Sequence, residues 1–159
     1  MFFKKKVKKM FPDGTIVAPV DGEIYPTEEI SDSVFADQIL GKTIVFRPSQ
    51  GELTLVAPAN GKLEVLYPTG HAYAIQTSVG KGILVHIGID TVEMNGDGFK
   101  TLAKQGADVV AGQEIVKADF AKIAAAGYDT SVMLILTENG EDVSFKDLKG
   151  VQASEVISE

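Results

Sequence analysis

The sequence predicts an all-β protein, an antiparallel sandwich or partly closed barrel carrying one or two short helical turns. About ten short apolar stretches, rich in Val, Ile, Thr and aromatic residues, are separated by turns built on Gly, Pro, Asn and Asp. Helical spacing is confined to two segments, one within Ser31–Leu40 and one across Phe120–Ala126. One motif also occurs twice: Ala18-Pro19-Val20-Asp21-Gly22-Glu23-Ile24 returns 39 residues later as Ala57-Pro58-Ala59-Asn60-Gly61-Lys62-Leu63. Two copies of one hairpin indicate a sheet built by duplication.

Residues 1–12 interleave Phe2, Phe3, Val7, Met10 and Phe11 with five lysines. This is either a disordered basic tail or a short amphipathic segment that rests on anionic lipid at about 1 kcal/mol per lysine. Residues 13–159 then read as a single domain, the 159-residue chain being 45% hydrophobic and large enough for its own core. Ile16-Val17-Ala18-Pro19 reads as extended and ends in a turn at Asp21-Gly22, and Glu23-Ile24-Tyr25 resumes the strand. Ser31–Leu40 holds a helical turn with Val34, Phe35, Ile39 and Leu40 on related faces and Gly41 as its stop. Thr43–Arg47 is a strand closed by Pro48. Asn95–Gly98 is a turn cluster, Phe99–Ala103 a short strand, and Gly106–Ile115 a strand-turn-strand corner. Asp119 caps the second helix, which Gly127 ends. Val132–Thr137 is a buried strand, with weaker ones near Val143–Phe145 and Val156-Ile157.

No apolar run approaches the ~20 residues that span a bilayer. The start lacks the apolar h-region of a secretory signal, since Pro12-Asp13-Gly14 follows the lysines. Cysteine is absent, which removes disulfides and thiolate chemistry and makes a reducing cytoplasm the natural setting. Taking the five N-terminal lysines from the 15 basic residues leaves 10 against 22 acids, so the body carries a net charge of −12. Such an acidic body, with Arg47 its single arginine, is a poor partner for nucleic acid.

The chemistry centres on Gly80–Asp90. By the two-residue period of a strand, Ile83, Val85, Ile87 and Ile89 face the core, while Leu84, His86, Gly88 and Asp90 lie on the other side. A β-branched strand thus presents a histidine, a glycine and a carboxylate on its open face. The other histidine, His71, follows Gly70 and lies two residues beyond Thr69. On an extended segment that hydroxyl and ring share a face ~6.6 Å apart, near enough for Thr69 to orient the imidazole. A histidine alone is more often structural than reactive. Two imidazoles with a threonine and an aspartate allow two chemistries. His86-x-x-x-Asp90 matches part of a zinc peptidase motif, but the chain has no third histidine to complete a catalytic zinc site. Alternatively His86 is a nucleophile for a phosphoryl group, with His71 donating to its oxygens. Neither a Gly-x-x-x-x-Gly-Lys-Ser/Thr loop nor a Gly-x-Gly-x-x-Gly run is present, so the donor is better sought in a phosphorylated protein than in a nucleotide.

These residues carry a resemblance. Val85–Val92 with Glu93, Gly96 and Gly98-Phe99, preceded by Thr69-x-His71-Ala72, resembles the glucose-type enzyme IIA of the bacterial phosphotransferase system from about Ile16 to Glu155. The resemblance implies a barrel-sandwich hybrid fold. It implies that His86 takes phosphate from the histidine-containing phosphocarrier protein and passes it to the enzyme IIB domain of a glucose-family sugar permease. His71 matches the histidine that bonds the phosphoryl oxygens, Thr69 its orienting hydroxyl, Gly88 the carbonyl holding the far ring nitrogen, and Asp90 a rim acid. Val34, Phe35, Leu40, Tyr67, Leu84 and Val92 match an apolar ring that docks both partners, which puts Phe35 at the surface. Ile39 matches too, but fits ordinary core packing better. No cofactor is implied; a zinc ion bridged by His71, His86 and a partner's carboxylate is the one metal the resemblance admits. The lysine-rich start resembles the lipid-touching segment of free-standing members. The chain departs from the pattern at Gly41-Lys42-Thr43, where Gly-Asp-Gly is usual, at Ser33 in place of an apolar rim residue, and at Ser154 in place of a turn glycine.

Two functions of different class follow. One is a phosphocarrier. The other is a regulatory module that binds target proteins through the apolar ring and is switched off when phosphorylation adds about −1.5 to −2 charges at its centre. A biotin- or lipoyl-type carrier would need a lysine at an exposed hairpin tip in a Met-Lys-Met or Asp-Lys context, and neither is present.

Overall fold

The computed structural model describes residues 9–49 and 51–159. The proposed lipid contact through residues 1–12 therefore falls mostly outside the described residues. Within them, Lys9 pairs with Asp13 at 3.0 Å and Met10 is 78% exposed.

Eleven strands and two short helices follow in order: β1 Gly22–Tyr25, α1 Ser33–Ala36, β2 Lys42–Pro48, β3 Glu52–Val56, β4 Gly61–Leu66, β5 Ala72–Thr77, β6 Gly82–Ile87, β7 Phe99–Thr101, β8 Asp108–Val109, β9 Glu114–Asp119, α2 Phe120–Ala125, β10 Val132–Glu138 and β11 Gly150–Val151. Single 3₁₀ turns lie at Thr27–Glu29 and Thr91–Met94. The strands form an eight-stranded sheet, β11-β1-β2-β10-β6-β5-β4-β8, and a three-stranded sheet, β3-β9-β7, antiparallel throughout. The expected all-β architecture is what the chain forms, as two sheets. No described helix is long and apolar enough to cross a membrane.

The duplication reaches further than the seven-residue repeat. Val17 N donates to Pro58 O at 2.8 Å, and Val56 N donates to Pro19 O at 2.9 Å, so the two arms exchange equivalent hydrogen bonds. Each arm then receives a corner from later in the chain. Ala57 bonds both ways with Gly112 and Gln113, and Ala18 bonds both ways with Ser154 and Glu155. The Asn60 side chain accepts from Ala111 N at 2.8 Å, and that of Asp21 from Ala153 N at 2.7 Å. Gly22 and Gly61 are equivalent as well: a Cβ on either would sit 2.2 Å from a carbonyl oxygen of the neighbouring strand, Arg47 or Gln76. The repeated glycine is thus a demand of close backbone approach.

Two apolar clusters divide the large sheet. The main core takes Ile83, Val85 and Ile87 from β6, Leu134 and Leu136 from β10, Phe46 from β2, and Leu55, Ile115 and Val116 from the small sheet. The outer face of the same three central strands carries a smaller cluster of Val45, Met133 and Ile135 with Ile30, Phe35 and Ile89. Being covered on both faces, β10 reads as a continuous apolar run, Val132-Met133-Leu134-Ile135-Leu136, without alternation.

Three expectations about elements need correction. Ile16–Pro19 is no strand: only Val17 forms a bridge, to Val156, because its neighbours bond to the other repeat arm and to the C-terminal corner. The weak strands near Val143–Phe145 and Val156-Ile157 shrink to single bridges. The helical turn in Ser31–Leu40 is only four residues long, ends at Ala36, and passes through Gln38 at φ +52°.

Candidate functional site

Strand pairing brings the two histidines together. His86 on β6 stands opposite Ala72 on β5 and Met133 on β10. The small Ala72 leaves room over the imidazole, and Ile87 N donates to His71 O at 2.7 Å, carrying the ladder one step past β5. The alternation holds to the end of β6, with Ile83, Val85 and Ile87 fully buried and Leu84 and His86 half-buried on the outer face. It breaks at Gly88 (φ +73°), so Ile89, expected beside Ile87 in the main core, packs in the outer cluster instead.

By strand parity His71 should join Tyr73 and Ile75 in the core, but the backbone before Ala72 is not extended. Tyr67–Gly70 forms a tight turn closed by Gly70 N donating to Tyr67 O at 2.8 Å, with Gly70 at φ +77°. This corrects the expectation that Thr69 and His71 share an extended face. The turn serves the same contact more tightly, bringing Thr69 Oγ1 within 2.7 Å of His71 Nδ1. It also swings the His71 ring onto the outer side, where its centroid lies 5.5 Å from that of His86 in an edge-on arrangement and 5.0 Å from that of Tyr67. His71 is 5% exposed, with the Tyr67 ring packed against it.

His86 Nδ1 lies 2.7 Å from the carbonyl oxygen of Gly88. A carbonyl only accepts, so Nδ1 carries the hydrogen and Nε2 keeps its lone pair. Gly88 is indispensable to this geometry, since it adopts φ +73° and a Cβ would meet Thr91 Cγ2 at 2.4 Å and Asp129 O at 2.9 Å. Burial pushes the His86 pKa below the usual histidine value, against the opposing pull of the Gly88 carbonyl and of the Asp32 and Asp90 carboxylates. Burial lowers His71 as well, and the neighbouring His86 adds to the effect. Both rings are therefore neutral at pH 7.

The apolar residues expected at a docking ring differ in exposure. Val34, Leu40, Tyr67 and Val92 are 41–49% exposed, and Leu84 is half-buried. Phe35 is a correction: it is 9% exposed within the outer cluster, and its ring lies 5.2 Å from that of His86, so it floors the site. Ile39 is the opposite correction, 67% exposed where core packing was expected. The helix is too short to return Ile39 to the protein, and it turns Phe35 inward. Asp90 is exposed at φ +61°, heading the turn Thr91–Met94.

Sequence reasoning missed Asp32, which caps α1 by accepting from Val34 N at 2.8 Å and faces His86 electrostatically. The helix-start signal Asp32-Ser33-Val34 could have found it. It also missed the buried Thr91, which donates to Ile87 O at 2.5 Å. The residues do not fit a metal on their own. Each ring has one nitrogen committed, and among the described residues no group of three metal-ligating side chains occurs.

Residues 14–142 match the family model described as phosphoenolpyruvate-dependent sugar phosphotransferase system, EIIA 1. The chain is 34% identical over 154 residues to the PTS system glucose-specific EIIA component of Oceanobacillus iheyensis, covering 96% of this chain and 90% of that one. It is 38% identical over 144 residues to the PTS system glucose-specific EIICBA component of Staphylococcus saprophyticus, covering 89% of this chain and 21% of that longer one. Among solved structures it is similar to glucose permease IIA from Mycoplasma capricolum, with a TM-score of 0.85, 32% identity, and coverage of 99% of this chain and 98% of that one.

Proposed function

The chain belongs to the EIIA family of the phosphoenolpyruvate-dependent sugar phosphotransferase system, and from that premise we propose that His86 Nε2 is the atom that carries the phosphoryl group. The observation that bears most weight is the 2.7 Å contact from His86 Nδ1 to the Gly88 carbonyl. It commits one nitrogen and leaves the other as the nucleophile. In the step proposed, the Nε2 lone pair attacks phosphorus in line while the bond to the donor's ring nitrogen breaks, and that nitrogen keeps the electron pair. Positive charge growing on the His86 ring is stabilised by the Gly88 carbonyl, Asp32 and Asp90. Thr69 Oγ1 lies 2.7 Å from His71 Nδ1; in the arrangement proposed the hydroxyl donates to Nδ1, which leaves the hydrogen of the neutral ring on Nε2 to offer to the phosphoryl oxygens.

The donor we propose is the histidine-containing phosphocarrier protein, and the acceptor is the enzyme IIB domain of a glucose-family permease. The staphylococcal relative, named for A beside C and B in one polypeptide, supports that acceptor. Both would dock on the rim of Val34, Leu40, Tyr67 and Val92, with Leu84 at its edge and Phe35 beneath. The site would work in the cytoplasm, and a phosphate at its centre would also repel any regulatory target that docks on the same apolar rim. A zinc ion at His71 and His86 would need a further ligand from another molecule.

Incubation with phosphoenolpyruvate, the upstream phosphocarrier and its kinase should give an acid-labile, base-stable phosphate. His86→Ala should abolish it, and persistent label would refute the assignment. His71→Ala should still accept phosphate but fail to pass it to enzyme IIB. Equal loss of both half-reactions would contradict the separate roles of the two rings.

A further inference from the structure

The Gly88 carbonyl belongs to a peptide group that is held from behind. Its other end, Ile89 N, donates to Asp129 O at 3.1 Å. The preceding peptide is clamped as well: Gly88 N donates to Ser131 O at 2.8 Å, and the buried Thr91 hydroxyl donates to Ile87 O at 2.5 Å. Two carbonyls of one tripeptide, Asp129–Ser131, thus fix both peptide planes around Gly88. The tripeptide is itself closed by side chains. Asp129 Oδ1 accepts from Ser131 N at 2.8 Å and from Ser131 Oγ at 2.6 Å. Ser131 Oγ is hydrogen-bonded in turn to Tyr25 OH on β1, whose ring lies under the Arg47 guanidinium at 4.5 Å. Ser131 is 3% exposed, and a buried hydroxyl between a carboxylate and a phenol has little freedom to rearrange.

We infer that Asp129, Ser131 and Tyr25 are positioning residues for His86, holding the Gly88 carbonyl where it selects the ring tautomer with a hydrogen on Nδ1 and a bare Nε2. None of the three touches the imidazole. Asp129 and Ser131 act through the backbone that their side chains close, and Tyr25 acts by anchoring Ser131. Polarisation runs the same way: Ile89 N donating to Asp129 O makes the Gly88 carbonyl a better acceptor for Nδ1. Chemically, the effect is to set which nitrogen is nucleophilic.

The inference deepens the phosphocarrier reading and rests on it for its meaning, but its primary readout does not need phosphate. Nitrogen NMR of the full chain near pH 8 reads the His86 tautomer directly. Wild type should show hydrogen on Nδ1. Ser131→Ala, Tyr25→Phe and Asp129→Ala should shift His86 toward hydrogen on Nε2, and Asp129→Asn, which keeps an accepting oxygen, should restore the wild-type pattern. Phosphoryl acceptance should fall about 10- to 100-fold in Ser131→Ala and Asp129→Ala, the size of effect that outer hydrogen-bond partners exert on a ligating histidine. Should Asp129→Ala fail to fold, the single-hydroxyl removals carry the test. An unchanged tautomer in Ser131→Ala and Tyr25→Phe overturns the inference even if acceptance falls. Wild-type protein that shows the expected tautomer yet takes no phosphate on His86 overturns the phosphocarrier reading and leaves the positioning role standing.

Discussion

Gly88→Ala probes the site at its tightest point. The substitution places a side chain at φ +73°, at a cost of about 1–2 kcal/mol for the left-handed backbone alone. Its Cβ would overlap Thr91 Cγ2 at 2.4 Å and crowd Asp129 O at 2.9 Å, and overpacking of this kind adds about 1–3 kcal/mol. The expected loss is therefore about 2–5 kcal/mol, a large part of the ~5–15 kcal/mol that holds a domain together. Thr91→Ser removes the methyl group responsible for the closest overlap and keeps the hydroxyl that bonds Ile87 O. Alone it should cost about 1 kcal/mol for one buried methyl. In combination it should relieve about 1–2 kcal/mol of the Gly88→Ala penalty. Urea unfolding of the four proteins in the cycle measures this. Additivity within about 0.5 kcal/mol would refute the account, because Gly88 would then be constrained by something other than contact with Thr91.

Further expectations concern other parts of the chain. Because burial lowers the pKa of both histidines, phosphoryl acceptance should persist as pH falls through ~6.5 and decline only below it. Stability follows the same sign. The unfolded chain binds protons at a higher pH than the folded one, so stability contributed by the two neutral rings is present above ~6.5 and lost as pH falls below it, which urea midpoints across pH would show. Ser154 holds φ +75° where its repeat equivalent Gly112 holds φ +91°; Ser154→Gly should stabilise by about 0.5–1 kcal/mol, the backbone relief less the added freedom of the unfolded chain, and an unchanged melting temperature would contradict that. Tyr73→Phe removes a fully buried hydroxyl that donates to Val56 O at 2.7 Å and should cost about 1–3 kcal/mol in denaturant unfolding. Val92→Lys, at a position 49% exposed, should leave stability within about 0.5 kcal/mol while slowing transfer from the phosphocarrier protein, so equal rates would remove Val92 from the docking rim.

The parts of the fold legible in the sequence are those where one period decides the outcome. β6 alternates strictly, so its buried and open faces could be read from the residues alone, and the Ala-Pro-x-x-Gly repeat announced a duplication. What the repeat could not show is that residues 107–115 and 149–157 are duplicated too, because only Val109/Val151, Ala111/Ala153 and Ile115/Ile157 remain identical there and the turn glycine Gly112 is replaced by Ser154. Phe35 and Ile39 exchanged places for a reason of length: a four-residue helix gives too little spacing to distinguish inner from outer positions. The Thr69–His71 contact was expected from a strand and is made by a turn, since Gly70 permits the left-handed step that an extended reading ignores. Asp129 and Ser131 left no local signal at all. They lie more than forty residues from His86 in the chain, and only the β6–β10 pairing brings their loop to Gly88.

The most direct test of the central claim is the site of the phosphoryl group on the ring. Heteronuclear NMR of the phosphorylated full chain, labelled with heavy nitrogen in histidine, resolves which nitrogen couples to phosphorus. Coupling to His86 Nε2, with a hydrogen retained on Nδ1 and His71 unmodified, is the predicted result. Phosphorus on His86 Nδ1, or on either nitrogen of His71, would contradict the assignment of Gly88 as the carbonyl that chooses the nucleophile.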